Sequence, residues 1–448
     1  MEHWGLLSFD IVSNFESFDL AQDRFRASNL LVYPWVSLRV NDEVRHRPST
    51  GRARSQKTSG GPPRGAARSP RVSDSKLGSF IGCDCHAQDI KLVAAFGPQH
   101  GLRGDKQDNM IETQDFNDPV HGIPVFSLYG EVRRPTKEMM DSFDVLLIDL
   151  QDIGCRVYTF ITTLRYVLEA AAQHRKAVWV LDRPNPVGRP VEGFLLKPGW
   201  ESFVGAGPLP MRHGLTLGEM AKWFVRTLPL DLECEVVMMD GWKPGSAPGY
   251  GWPLGERAWV NPSPNASNLW MARCYGGTVM LEGTTLSEGR GTTHPLELFG
   301  APDLETPRLL SKMESLAPQW MNGCRLRECW FEPTFHKHAG ELCAGVQIHV
   351  EDRTYDHDNF RPWRLIALAL KSLRSLRPDY DLWRDFPYEY EHERLAIDLI
   401  NGGDFLRHWV DDPAATLADL ESTAATEEAA WLKERESLLL YHRRGGHT

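Results

Sequence analysis

The chain has 448 residues, 42% of them apolar and 25% charged, with a net charge of −10; this is ordinary globular composition, long enough for two or three domains around a large core. The charge is uneven: residues 45–71 carry eight Lys/Arg and no Asp/Glu, and without them 42 basic residues face 60 acidic ones, a balance of −18. A nucleic-acid partner would rest on that one tract, so none is expected, and no apolar run approaches the ~20 residues of a membrane span.

In chain order, residues 1–76 read as an atypical, largely disordered leader. Its first part scatters aromatics without a period, and residues 45–76 are an Arg/Ser/Gly/Pro-rich linker. No basic start followed by an apolar stretch opens the chain, so the expected compartment is the cytoplasm; export would need a leader other than this N-terminus. Eight cysteines without regular spacing read as mostly reduced and individually buried. Cys83-Asp84-Cys85-His86 lacks a second ligand pair at zinc spacing, so no metal is expected.

From Lys91 short apolar runs alternate with helical patterns: "KLVAAFG", "IPVFSLYG", "FDVLLIDLQD", the helix "TFITTLRYVLEAAAQHRK", then "AVWVLDRPNP". Near-continuous apolar strands separated by helices predict a mostly parallel sheet covered on both faces, an α/β domain over 77–240. Ile161, Leu164, Leu168 and Ala171 share one helical face, and Thr216 with Glu219 has capping-box spacing before "LGEMAKWFVRTL". "CEVVMMDGW" closes this unit. A Gly/Pro-rich loop follows, and then a smaller α/β domain over 241–395, with strands near 277–282 and 344–350 and a helix at 362–375. Residues 396–448 read as a charged helical tail with a frayed end.

Polar side chains collect where the strands end. Residues 92–96 lead into Gln99, His100 and Arg103; 123–127 into Tyr129; 145–149 into Asp149, Gln151, Asp152 and Arg156; and 178–181 into Asp182, Arg183 and Asn185, with Glu192 beyond. In an open parallel sheet these ends share one edge, the usual place for a ligand. The structural alternatives are that Asp149 or Asp152 caps a helix and that Asp182-Arg183 is an internal ion pair. A second cluster, "LEGTTLSEGRGTTHP" (281–295), supplies Glu282, Ser287, Glu288 and Arg290 on a glycine-rich loop. It lacks the spacing and lysine of a phosphate loop, and no Gly-x-Ser-x-Gly elbow surrounds Ser287, which excludes a nucleotide site and a serine hydrolase on motif. Hydroxyls, amides, carboxylates and the tryptophans 179, 242, 252, 259 and 270 suit a sugar, whose C–H faces pack on aromatic rings.

The segments "FGPQHGLRGD", "PVFSLYG", "LLIDLQDIGCRVYTFITTL", "VWVLDRPNPVG", "VEG", "MRHGLTLGE", "NPSPN" and "LEGTTLSEGRGTTHP", in order from about residue 90 to about 370, resemble the signature segments of the NamZ-like exo-β-N-acetylmuramidases. The resemblance implies a Rossmann-like N-terminal domain, a smaller α/β domain, and a sugar cleft between them. It also implies release of N-acetylmuramic acid from non-reducing ends of peptidoglycan fragments, with a saccharide or muropeptide partner and no cofactor. These bacterial enzymes are often exported. Two departures stand out. The family typically has Glu where this chain has Gln99, and an amide cannot donate a proton to a leaving oxygen. Residues 72–90 lack the family's opening strand, for which "LLVYPWVSLRV" is the substitute at hand.

On this reading the catalytic candidates are Gln99, His100, Asp149, Asp152, Glu192 and Glu282. The substrate-binding candidates are Arg103, Tyr129, Gln151, Arg156, Asp182, Arg183, Asn185, His213, Ser287, Glu288 and Arg290. A guanidinium among Arg103, Arg183 and Arg290 would hold the lactyl carboxylate of muramic acid. The alternative is a weakly active or inactive sugar-binding relative. Either requires the loops at 97–105, 149–156, 182–193 and 282–294 to meet around one pocket.

Overall fold

The computed structural model of the chain describes residues 35–40, 90–107, 110–351 and 353–441. The leader outside 35–40 and the Cys83–His86 cluster lie outside the described residues. From Val93 onward the chain is one compact unit. Its elements run β1 (Trp35–Val40), β2 (Ile90–Gly97), β3 (Phe116–Asn117), β4 (Pro124–Ser127), α1 (Lys137–Asp141), β5 (Val145–Ile148), α2 (Phe160–His174), β6 (Ala177–Leu181), α3 (Leu217–Thr227) and β7 (Cys234–Val237). The second half contributes α4 (Leu269–Thr278), β8 (Leu298–Ala301), α5 (Thr306–Leu316), β9 (Arg325–Phe331), β10 (Cys343–His349), α6 (Pro362–Leu376), α7 (Ala396–Asn401), α8 (Phe405–Asp411) and α9 (Leu417–Arg435).

The seven-stranded sheet has the order β3-β4-β2-β1-β5-β6-β7, with β2 parallel to β4, β5 to β6 and β6 to β7, and the edge strand β3 antiparallel to β4. The apolar run at 35–40 thus takes a place inside the sheet, between β2 and β5. Strand β5, Val-Leu-Leu-Ile, is buried at every position, as a parallel strand covered on both faces must be. Helix α2 buries Ile161, Leu164, Leu168 and Ala171 on the face the periodicity marks, and it ends where Arg175 turns left-handed. Helix α3 starts with the Thr216–Glu219 capping box.

The second half is built on a three-stranded antiparallel sheet, β8-β10-β9, with α5 against β10 and α6 packed on α4 and α5. Residues 277–282, read from sequence as a strand, are instead the end of α4 running into a 3₁₀ turn, Val279–Gly283. Val279, Met280 and Leu281 are all buried, so the run carries no period to separate strand from helix. The tail to residue 441 is anchored as well. In α9, Trp431 is fully buried edge-on to Trp223 and donates to the His213 carbonyl at 2.8 Å, while Glu427 and Glu428 accept the backbone N–H groups of Leu195 and Gly193.

Candidate active site

Strand β2 delivers its polar cluster through a tight turn. A side chain at Gly97 would come within 2.8 Å of the Leu102 nitrogen, and His100 and Gly101 both adopt left-handed backbone with φ of 71° and 80°. The turn carries Gln99 inward, 5% exposed, where its carbonyl accepts from the Thr159 hydroxyl at 2.6 Å and its amide donates to Glu389 at 2.9 Å. The other oxygen of Glu389 accepts from Tyr129, at the end of β4, at 2.7 Å. Glu389 was not among the sequence candidates, because it sits in a polar stretch, "FPYEYEHER", far from any strand end.

That stretch is a tight hairpin turn closed by reciprocal backbone bonds between Tyr388 and Glu391, both 3.0 Å. Glu389 and Tyr390 both have positive φ, 48° and 69°. Such conformations cost non-glycine residues on the order of 1–3 kcal/mol each and persist where surrounding structure imposes them. The turn sends consecutive side chains to different partners: Glu389 to Gln99 and Tyr129, and Tyr388 to Glu282, its hydroxyl donating at 2.8 Å.

Glu282 begins a charged chain. Arg290 donates to Glu282 at 2.5 Å and to Glu288 at 3.0 Å, and Glu288 is further paired with Lys337 at 2.7 Å and His336 at 3.3 Å. Burial opposes ionisation of Glu288, but Lys337, His336 and Arg290 outweigh it and hold its carboxyl well below the usual range. Glu389 behaves oppositely. Burial, with a contribution from the Glu282 charge, pushes its carboxyl up to about 7 against the hydrogen bonds from Tyr129 and Gln99.

Both glutamates, Glu282 and Glu389, line one cavity. Gln99 and His100 line it from the β2 turn, Ile153, Val157, Tyr158 and Thr159 from the segment after β5, Ser263 and Asn265 from the long loop, and Arg290 from the glycine-rich loop. Three of the four expected loops therefore meet there; no residue of 182–193 lines the cavity.

The remaining candidates are placed elsewhere, in roles that account for their burial. Asp149 and Arg183 form an ion pair with each other. Asp152 accepts from Gly154 at 2.6 Å and lies 3.6 Å from His213, while Gln151 donates to the carbonyls of Asp152 and Pro184. Arg156 is wholly buried and binds the carbonyls of Phe194, Leu209 and Ile400. Asp182 accepts from Thr216, the Gly218 nitrogen and Tyr441, tying β6 to the start of α3; burial raises its carboxyl to about 6 against those bonds. Asn185 spans Leu215 and Val187. Glu192 is buried against Arg212 and the Arg364 nitrogen. Ser287 caps the Gly289 nitrogen, and Arg103 lies over Phe116. None of the five tryptophans lines the cavity; its aromatic walls are Tyr158, Tyr275 and Tyr388.

Two glutamates on one polar cavity beside the strand ends of an α/β sheet supply the pair of carboxyls that a glycoside hydrolase uses. Family comparison gives the same class. Residues 74–270 match the N-terminal family profile, and residues 273–441 the C-terminal profile, of the exo-β-N-acetylmuramidase NamZ. The chain belongs to this family. It is 39% identical over 378 residues to the peptidoglycan β-N-acetylmuramidase NamZ of Bacillus subtilis, covering 84% of this chain and 86% of that protein. Two crystal structures of DUF1343 family proteins from Bacteroides fragilis share the fold. One has a TM-score of 0.67 and 28% identity, covering 82% of this chain and 90% of its own; the other has 0.57 and 25%, covering 79% and 86%. Among the described residues no group of three or more His, Cys, Asp or Glu could hold a metal, the six described cysteines are free, and no helix is long and apolar enough to cross a membrane.

Proposed function

We propose that the protein is an exo-β-N-acetylmuramidase, hydrolysing the glycosidic bond of a non-reducing terminal N-acetylmuramic acid on peptidoglycan fragments. The observation that carries this reading is the cavity itself: family membership supplies the reaction, and a polar space with Glu282 and Glu389 on its wall supplies a place for it. Hydrolysis passes through an oxocarbenium-like transition state, whose positive charge a nearby carboxylate stabilises. Glu282, ion-paired to Arg290 and hydrogen-bonded to Tyr388, is that carboxylate. Its donors fix its position, so little reorganisation accompanies charge development. Of the three arginines considered for the lactyl carboxylate, Arg290 alone lines the cavity. His100 bounds the same space and orients the sugar, while Gln99 holds the Glu389 carboxyl.

A sugar-binding role without turnover has less support, because a buried carboxyl stands directly against the Gln99 amide. The test is release of free N-acetylmuramic acid by the purified full chain. With the disaccharide N-acetylmuramyl-β-1,4-N-acetylglucosamine and a chromogenic β-N-acetylmuramide as substrates, both are hydrolysed, while the matching β-N-acetylglucosaminide is cleaved far more slowly. Absence of turnover on both muramides, or equal rates on the two sugars, contradicts the assignment.

A further inference from the structure

Resting on that reading, we propose that Glu389 is the proton donor of the reaction, standing in the position where Gln99 is chemically unable to act. Geometry makes the case. Gln99 reaches the cavity from the turn after β2, but its two polar atoms are spent on Thr159 and Glu389, and an amide has no acidic proton to give. The group it points to is a carboxyl on the same cavity wall, gripped at both oxygens, by Gln99 on one and Tyr129 on the other. Three separate segments thus converge on one side chain: the β2 turn, the end of β4, and the hairpin at 388–391. A carboxyl needed only for packing would not require two successive non-glycine residues in left-handed backbone to bring it there.

Gln99 suits either protonation state of its neighbour. In one orientation its amide N–H donates to an ionised Glu389; with the amide turned over, its carbonyl accepts from a protonated one and its N–H meets the Thr159 hydroxyl. The assignment of amide nitrogen and oxygen is interchangeable on this geometry. Tyr129 has the same versatility, since a phenol both donates and accepts. The pair therefore stays hydrogen-bonded while Glu389 cycles. Glu389 gives its proton to the glycosidic oxygen as the bond from that oxygen to the anomeric carbon breaks, and the remaining glycan leaves as the alcohol. Water then supplies hydroxide to the anomeric carbon, and its other proton returns the carboxyl pair of Glu389 and Glu282 to its starting state.

The charged and titratable groups around Glu389 are Tyr129, Tyr388 and Tyr390, the Glu282 and Arg290 pair across the cavity, His100 beside it, and Arg133, which is sandwiched between the rings of Tyr129 and Tyr390. Arg133 favours the charged form of Glu389 and Glu282 opposes it, while burial dominates. A donor must hold its proton, so turnover falls as pH rises through about 7.

The experiment compares wild type with Glu389→Gln and Glu389→Asp on two substrates. These are the disaccharide, whose leaving alcohol needs a proton, and a 2,4-dinitrophenyl β-N-acetylmuramide, whose leaving group does not. For Glu389→Gln, kcat/KM on the disaccharide falls by about 10²–10⁴. The loss on the activated aryl substrate is at least tenfold smaller, and the alkaline limb of its pH profile disappears. Glu389→Asp recovers part of the disaccharide activity. Equal losses on both substrates, or an unchanged disaccharide rate with its alkaline limb intact, overturn the proposal. If Glu389→Gln fails to fold by circular dichroism, the leaving-group dependence is read on Glu389→Asp, for which a loss on the disaccharide no greater than on the aryl substrate also overturns it. Wild type that cleaves neither muramide removes the muramidase reading itself, a result separate from either variant's.

Discussion

The two glutamates on the cavity wall are the same residue in opposite company. Glu282 sits in a chain of charged groups, Arg290, Glu288 and Lys337, with His336 beside Glu288, all supplied by the second half of the chain. Glu389 is held by neutral groups, the Gln99 amide and the Tyr129 hydroxyl, both from the ends of parallel strands. A carboxyl paired with a guanidinium serves as a fixed negative charge, whereas one buried among neutral donors keeps its proton to higher pH and can pass it on. Neighbours, and not residue type, divide the labour.

Several substitutions sharpen or break this contrast. The largest effect is expected for Glu282→Gln, which removes the charge that stabilises the oxocarbenium ion. The loss in kcat is on the order of 10³-fold and falls equally on activated and unactivated muramides; a loss confined to the disaccharide would exchange the two roles. Next is Lys337→Met, which leaves Glu288 short of its closest cation inside the protein. Breaking a buried pair costs about 3–5 kcal/mol, measured as a lower midpoint in urea denaturation. A change under 1 kcal/mol would mean that Arg290 and His336 suffice.

Glu389 carries its own linkage signature. Its carboxyl rises from 4.5 to about 7 on folding, so the folded state binds more protons than the unfolded state inside that window. Stability therefore falls as pH increases from 4.5 to 7, by roughly 3 kcal/mol, and Glu389→Gln flattens this segment of the stability curve. Superimposable curves for the two proteins would contradict the protonated carboxyl. Tyr129→Phe removes a donor that favours the charged form. The alkaline limb of turnover then moves to higher pH, with a rate change under about tenfold; a limb moving downward would be inconsistent. The smallest effect belongs to Asp149→Asn, whose partner Arg183 lies outside the cavity lining: kcat/KM stays within about twofold, and a larger loss would bring the Asp149 ion pair into the site.

The part of the molecule that parallel-sheet physics governs was legible in the sequence. Buried strands such as Val145–Ile148 read as unbroken apolar runs, α2 shows its face at Ile161, Leu164 and Leu168, and Thr216–Glu219 announces α3. The convergence of strand ends also pointed to Gln99, His100 and Tyr129. What sequence could not separate was an acid that caps from an acid that acts. Asp182 ends a strand as a ligand would, yet its partners are the first residues of a helix that begins more than thirty positions later. Glu389 was hidden for the converse reason: it follows no strand, and its burial depends on a backbone conformation that nothing but Tyr-Glu-Tyr after a proline marks. The strand expected near 277–282 failed because a segment buried on every side has no period to read.

The most direct test is a crystal structure of the protein soaked with N-acetylmuramic acid. The account predicts the sugar inside the cavity lined by Gln99, Tyr158, Glu282 and Glu389, its anomeric oxygen within about 2.6–3.2 Å of the Glu389 carboxyl. A sugar bound on another surface, or bound there with its anomeric oxygen turned away from Glu389, would contradict it.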